Sequence, residues 1–211
     1  MSLIIKSKEL FSVLNNKEIK ILDSRWFLSN KILSGSKEFK KGHIPRALFF
    51  DIDDFSDIDS DLPHMVPPKK RFEKLIKEFG ITDNDHIIIY DQNGFFSSTR
   101  VWFLFHIFGH KKISILDGGL NDWVKNELPI TTKLLIPDKK KYASKLNKEK
   151  LISMNEIKFI IDNKLFNNAI IDARPSKRFI GLEDEPRKGI KKGNIPSSIN
   201  IPFSLIHDKN G

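Results

Sequence analysis

Parts of this chain occur twice, and no other feature restricts its possible folds as strongly. IKILDSRWF, from Ile19 to Phe27, is echoed by NAIIDARPS, from Asn168 to Ser176. GHIPRALFFDI, from Gly42 to Ile52, is echoed by GNIPSSINIPF, from Gly193 to Phe203. Asp23 pairs with Asp172 and Gly42 with Gly193, at offsets of 149 and 151 positions. Two separate segments repeated in the same order at nearly the same offset imply a tandem duplication of one folding unit.

The unit can be read from its first copy. Helical spacing over Ser7 to Asn15 leads to a short apolar strand, Ile19 to Leu22, that ends in Asp23-Ser24-Arg25. An irregular segment reaches the Gly42 to Pro45 turn and a second strand near Ala47 to Phe50. From Pro67 a helical pattern puts Phe72, Leu75, Ile76 and Phe79 on one face, with Gly80 as its stop. The strand Ile87 to Tyr90 follows, then a polar loop and an apolar helix through Val101, Trp102, Leu104, Phe105 and Phe108, closed by Gly109. A last strand, Ile113 to Leu116, turns at Asp117-Gly118-Gly119 into a helix over Leu120 to Asn126.

Short apolar strands alternating with helices predict an α/β fold with a parallel sheet flanked by helices. Residues 1–131 make one complete domain, the basic stretch within 132–150 a linker, and 151–211 the N-terminal part of a second copy. The counterpart of the loop after Tyr90 would fall beyond Gly211, so the second copy reads as truncated. Such a piece is expected to bury too little apolar surface to fold well alone.

Charge and composition narrow the partners. The balance of 36 basic against 27 acidic residues gives a net charge of +9, which favours anionic ligands. Most lysines alternate with acids, as in KRFEKLIKEFG, the pattern of a solvated surface, so no nucleic-acid partner is expected. No apolar run reaches the roughly 18 to 20 residues of a membrane span, and MSLIIKSKEL lacks the features of a signal peptide. The expectation is a cytoplasmic protein without membrane contact. The chain has no cysteine, which rules out disulfides and thiolate chemistry within it. Its six histidines stand singly, so neither a metal site nor any other cofactor is expected.

The run HIIIYDQNGFFSSTR, from His86 to Arg100, is a strand, a polar loop and a helix start. That arrangement builds anion sites, because unpaired N–H groups and the positive helix end converge on the ligand. Asp91 holds the position suited to a nucleophile. Arg100 either binds an anion at this cradle or ties the loop to Asp91 or to backbone carbonyls. Asp23 with Arg25, and Asp172 with Arg174, read as structural ion pairs at strand ends. His43, replaced by Asn194 in the second copy, suits a turn hydrogen bond, and Trp26, Trp102 and Trp123 suit a core.

The segments ILDSRWFL, FKKGHIPRALFFDIDDFSD, LPHMVP, IIIYDQNGFFSSTRVWFLFHIFGH, ILDGGLNDW and IIDARPSKRFIGLEDEPRKGIKKGNIPSSINIPF cover nearly the whole chain. In this order they resemble the two-domain rhodanese-like sulfurtransferases, most closely those that use 3-mercaptopyruvate. The resemblance implies a catalytic cysteine loop in the second domain, which forms a persulfide, and an Asp at the equivalent place in the first, here Asp91. It implies that Arg178 and Arg187 hold the carboxylate and carbonyl of a small anionic sulfur donor, as forked guanidinium donors can. The form Glu185-Pro186-Arg187 leans toward 3-mercaptopyruvate over thiosulfate. Asp53 and His64 match an acid and an imidazole thought to assist proton movement. Without its cysteine loop the chain is expected to be inactive alone. The alternatives are one half of a split sulfurtransferase, completed by a separate polypeptide, and a non-catalytic anion- or protein-binding module.

Overall fold

Five apolar runs in the first part of the chain satisfy their buried backbone by pairing with one another. In the computed structural model, which describes residues 2–27, 33–165, 169–186 and 189–206, they form one parallel sheet. The strands are β1 (Ile4–Ile5), β2 (Ile19–Asp23), β3 (Ala47–Phe49), β4 (His86–Tyr90) and β5 (Ile113–Leu116), in the order β1-β5-β4-β2-β3. β2 and β4 pair along their full length, from Ile19 opposite His86 to Asp23 opposite Tyr90. Ile87, Ile88, Ile89 and Tyr90 are wholly buried, so β4 carries no polar alternation: both faces of a central parallel strand are covered.

The cover is α1 (Ser7–Ser12), α2 (Gly35–Lys41), α3 (Lys69–Glu78), α4 (Ser97–Ile107) and α5 (Gly119–Lys125). Leu10, Phe39, Leu120 and Trp123 pack with Ile19, Ile21, Ile88 and Tyr90 in one core cluster. Strand alternation turns Leu22, Ile87 and Ile89 to the opposite face. An aromatic cluster supplied by α3, α4 and nearby loops includes Phe72 stacked on Phe108 at 4.0 Å and Phe50 on Phe55 at 3.7 Å. Gly80 (φ 59°) and Gly109 (φ 85°) end α3 and α4 in the left-handed conformation. The segment read as irregular contains α2, whose sequence GSKEFKK has a single apolar residue and thus no visible periodicity. β1 has two residues, too few to show any pattern.

A buried polar network pins the ends of the strands. Arg25 Nη2 lies 2.7 Å from Asp23 Oδ2 and donates to the Gly42 carbonyl at 2.8 Å. The Tyr90 hydroxyl donates to Asp23 Oδ2 at 2.7 Å and accepts from the Ile44 N–H at 3.2 Å. Burial, with the Asp23 carboxylate beside it, lifts the Tyr90 phenol well above its ordinary pKa. One ion pair thus joins β2, β4 and the Gly42 turn.

The chain divides into two compact units, Met1–Asn147 and Lys148–Asn210. The second contains α6 (Met154–Asp162), β6 (Ile170–Asp172), α7 (Ser176–Phe179) and β7 (Ser198–Asn200). A capping box between Ser153 and Glu156 starts α6. β6 and β7 pair in parallel with Ile170, Ile171 and Asp172 opposite Ser198, Ile199 and Asn200. Ile21, Leu22 and Asp23 stand in the same way opposite Ala47, Leu48 and Phe49. Arg174 bonds Asp172 and the Gly193 carbonyl as Arg25 bonds Asp23 and the Gly42 carbonyl. Arg46 (φ 68°) and Ser197 (φ 64°) share an unusual left-handed backbone just before β3 and β7. His43 meets the Phe39 carbonyl through Nδ1, and the Asn194 amide donates to that of Phe179.

Residues 132–150, assigned to a linker from their charge, lie in part along the first unit. Lys140 N–H donates to the Lys77 carbonyl, Ser144 N–H to Glu73 Oε1, Lys145 N–H to the Phe108 carbonyl and Asn147 N–H to that of Ile107. Tyr142, 6% exposed, sits between them against Phe72 and His110. The lysines dominate the composition here, whereas the packing is done by Tyr142 and Ser144. His110 reaches the Asp85 carbonyl through Nε2 at 2.9 Å and the Tyr142 hydroxyl through Nδ1 at 3.2 Å.

Burial lowers the pKa values of both His110 and His86, so between their folded values and the unfolded value near 6.5 the unfolded chain binds more protons. Their stabilising contribution is therefore complete above about pH 6.5 and is lost as pH falls through the window below it. Urea midpoints of the first unit should drop on acidification, and His110→Gln should flatten that dependence, leaving the part due to His86. An identical pH slope in the variant would show that His110 is not a source of it.

Candidate functional site

A parallel sheet sends its loops out at the carboxyl ends of its strands, where open α/β sheets place their binding crevices. Trp26 follows β2, Asp53 and His64 lie in the loop after β3, and Asp91 follows β4. The side chain of Asp91 turns back into its own loop. Oδ1 accepts from the N–H groups of Asn93 (3.0 Å) and Gly94 (2.5 Å), and Oδ2 from those of Phe96 (2.9 Å) and Ser98 (3.0 Å). These are the groups at the loop and the first turn of α4 that would otherwise cradle an external anion. Asp91 is 2% exposed, so the anion of this cradle is the chain's own carboxylate.

The loop is also fixed from behind. Leu120 N–H donates to the Asp91 carbonyl at 2.9 Å and Asn121 N–H to that of Gln92 at 3.0 Å. A Cβ on Gly119 would stand 2.5 Å from the Asp91 carbonyl oxygen and 2.7 Å from the Gly94 nitrogen, so only glycine fits there. The amides of Gln92, Asn121 and Asn93 link in sequence at 2.6 Å each.

His64 Nε2 lies 2.7 Å from Asp53 Oδ1, and the indole N–H of Trp26 donates to Asp53 Oδ2 at 3.2 Å. The Trp26 ring meets the His64 ring edge-on at 5.2 Å and Phe96 at 6.4 Å. Arg100 donates from Nη2 to the His64 carbonyl, and its buried Nε has no hydrogen-bond partner. Of the roles open to Arg100, the geometry gives the tie to a backbone carbonyl. That bond helps hold His64 at φ 58°, a conformation uncommon outside glycine. A pocket of about 240 Å³ opens between Trp26, Phe27, Phe96 and the Asp91 loop. Trp26, which composition suits to a core, is only half-buried and forms a wall of this pocket. Its signal in the sequence was its position directly after Asp23-Ser24-Arg25, at a strand end.

In the second unit Arg178 lies on α7. Its Nη2 donates to Glu185 Oε2, while Arg174 Nη1 donates to Glu185 Oε1 at 2.7 Å. The Glu185 side chain is 4% exposed. Hydrogen bonding from Arg178 holds its carboxyl below the usual range, and Arg174 does the same for Asp172. Arg178 Nε is buried without a hydrogen-bond partner. Arg187 lies outside the described residues. Among the described residues no three His, Asp or Glu side chains gather as a metal site, and no helix is long and apolar enough to cross a membrane.

Residues 7–126 match the rhodanese-like domain. The human 3-mercaptopyruvate sulfurtransferase is 36% identical over 195 residues, covering 92% of this chain and 65% of that protein. The chain thus spans just under two thirds of that relative's length. The 3-mercaptopyruvate sulfurtransferase of Escherichia coli K12 is 34% identical over 194 residues, 92% of this chain and 68% of that one. The crystal structure of SseA from Escherichia coli, described as having the rhodanese fold, superposes with a TM-score of 0.90 at 29% identity, covering all of this chain and 79% of that one. The expected α/β fold with a helix-flanked parallel sheet is therefore present.

If the loop stabilises any anion at position 91, Asp91→Cys should carry a thiol whose pKa falls at least about one unit below the ordinary value of about 8.5. Thiolate absorbance followed against pH measures it. A pKa at or above the ordinary value would show that the cradle accommodates only a carboxylate.

Proposed function

The chain belongs to the rhodanese-like family, and on that footing we propose that it is the substrate-holding portion of a 3-mercaptopyruvate sulfurtransferase whose sulfur-accepting thiolate lies outside these 211 residues. One observation carries this reading: the loop best shaped for a nucleophile spends its donors on Asp91, and the chain has no cysteine to replace it. In the reaction a thiolate attacks the sulfur of 3-mercaptopyruvate. The carbon–sulfur bond breaks, its electron pair leaves with the carbon as the pyruvate enolate, and that enolate takes a proton. The outer sulfur of the persulfide then passes to a thiol or cyanide.

Within this scheme Arg178 and Arg187 receive the donor's carboxylate and carbonyl. The Asp53–His64 pair of the first unit is, within that unit, hydrogen-bonded as a proton-transfer pair would be. The matching strand registers and Asp–Arg–carbonyl bonds of the two units support reading them as tandem copies, the first a non-catalytic one. Oxygen nucleophiles of Ser and Asp are poor acceptors of a sulfane sulfur, so the 211-residue chain should show no turnover. Pyruvate release from 3-mercaptopyruvate with cyanide as acceptor is the assay. Release above a no-protein blank, by a preparation free of other enzymes, would overturn the proposal.

The exposed apolar face of the second unit favours a further reading, in which another polypeptide completes its sheet. Leu22 of β2 is wholly buried, whereas its counterpart Ile171 is 58% exposed. β2 is flanked by β3 and β4, while among the described residues β6 pairs with β7 alone. In the chain by itself, hydrogen exchange of Ile170–Asp172 should be far faster than that of Ile19–Asp23. Equal protection of the two strands would exclude an incomplete second sheet and leave a self-sufficient binding module.

A further inference from the structure

We propose that Glu185 is the positioning residue of the anion-binding arginine Arg178, locking its guanidinium to the strand-end ion pair of β6. The inference rests on the reading of Arg178 as a substrate group but adds a residue to which no role has been given. Glu185 comes from a loop rich in charge, glycine and proline, yet its side chain is among the least exposed of the second unit, at 4%. Each of its oxygens is assigned to one arginine, Oε1 to Arg174 and Oε2 to Arg178. Arg174 is itself tied at several points: it forks onto both oxygens of Asp172 and donates to the Gly193 carbonyl at 2.8 Å. Asp172, Arg174, Glu185 and Arg178 therefore form a chain of alternating charge that runs from the carboxyl end of β6 to α7.

That chain explains how a long, flexible arginine on a four-residue helix could be held in one orientation. Arg178 carries five N–H donors in a planar fork. Glu185 takes Nη2 and fixes the plane, and Nε is left buried with no partner. A buried donor without an acceptor is unfavourable by about 1 to 3 kcal/mol, so Nε would gain from any oxygen that a local shift of its cover admitted. Two acids against two bases also leave the cluster neutral before ligand arrives. A monoanionic α-keto acid would then meet one oriented guanidinium edge in place of a pair of mobile cations.

The test uses the full 211-residue chain, its Glu185→Gln and Glu185→Asp variants, and pyruvate as the carboxylate probe. Two quantities are read: the Arg178 side-chain Nε–H resonance without ligand, and pyruvate affinity by NMR titration. In Glu185→Gln the Nε–H signal should move to the averaged position of a free arginine and affinity should fall roughly tenfold, the loss of one charged hydrogen bond. Glu185→Asp should restore part of both, and Arg178→Lys combined with Glu185→Gln should lose no more affinity than Arg178→Lys alone. Should Glu185→Gln unfold β6 and β7, the Asp variant decides by the same two readings. An unshifted Nε–H signal overturns the proposal whatever pyruvate does. A wild-type chain with an ordered Nε–H and no pyruvate binding would instead keep Glu185 as the positioning residue and remove the substrate reading of Arg178.

Discussion

The fold depends on a carboxylate at the end of a strand. Asp23 is wholly buried at the carboxyl end of β2, and Arg25, two residues on, folds back to neutralise it. Taking both charges out of water is unfavourable unless every remaining lone pair and proton is used. Here Asp23 accepts from the Arg25 N–H and Nε and from the Tyr90 hydroxyl of β4, and Arg25 Nη2 donates to the Gly42 carbonyl in the turn before β3. The pair thus reads out whether three neighbouring strands are in register. Removing one member would strand the other in an apolar core, a loss of about 3 to 5 kcal/mol. That asymmetry makes the pair a device for specifying one alignment of β2, β3 and β4.

The second unit shows the same device with a different third partner. Asp172 and Arg174 repeat the bonds of Asp23 and Arg25, but their side chains are 11% and 29% exposed against 0% and 4%. The place filled by Tyr90 in the first unit has no counterpart among the described residues of the second. Glu185 enters from the other side and carries the network outward to Arg178. A purely structural constraint in the first unit is thereby continued, in the second, into an arginine bonded to a loop carboxylate. Screening by water weakens the more exposed pair, so the Asp172–Arg174 anchor depends on its directional, bidentate geometry more than on net Coulomb attraction, and Glu185 reaches Arg178 from it by one bond.

How much of this was legible in the sequence follows from the length scale of each signal. The likeness of the two segments was visible because both set Asp, Arg, Gly and Pro at nearly the same spacing around strand ends and turns. β4 and α4 stood out as long apolar runs. α2 did not, since its one apolar residue, Phe39, gives no period. The segment from Lys140 to Asn147 was hidden by its lysines, which face solvent while Tyr142 and Ser144 make the contacts. At the site, the anion cradle could be read from a strand, a polar loop and a helix start, but that Asp91 fills it is a matter of side-chain direction, which no spacing encodes. The Trp26 bond to Asp53, and Arg100 reaching the His64 carbonyl, join residues 27 and 36 positions apart through tertiary packing alone.

These internal carboxylates restrict access to fixed donors in a chain whose net charge is +9. A basic surface draws anions from a distance without distinguishing among them. At the Asp91 loop an arriving anion must displace a carboxylate attached to the same residue stretch, whose effective concentration is set by a tether of one side chain. A free anion at ordinary concentration does not win that exchange, so the first-unit cradle is closed to ligand by intramolecular competition. At Arg178 the internal acid takes one end of the guanidinium only and leaves Nε without a partner. The same physical element, a tethered carboxylate facing fixed donors, therefore takes four backbone N–H groups of the Asp91 loop but only Nη2 of Arg178.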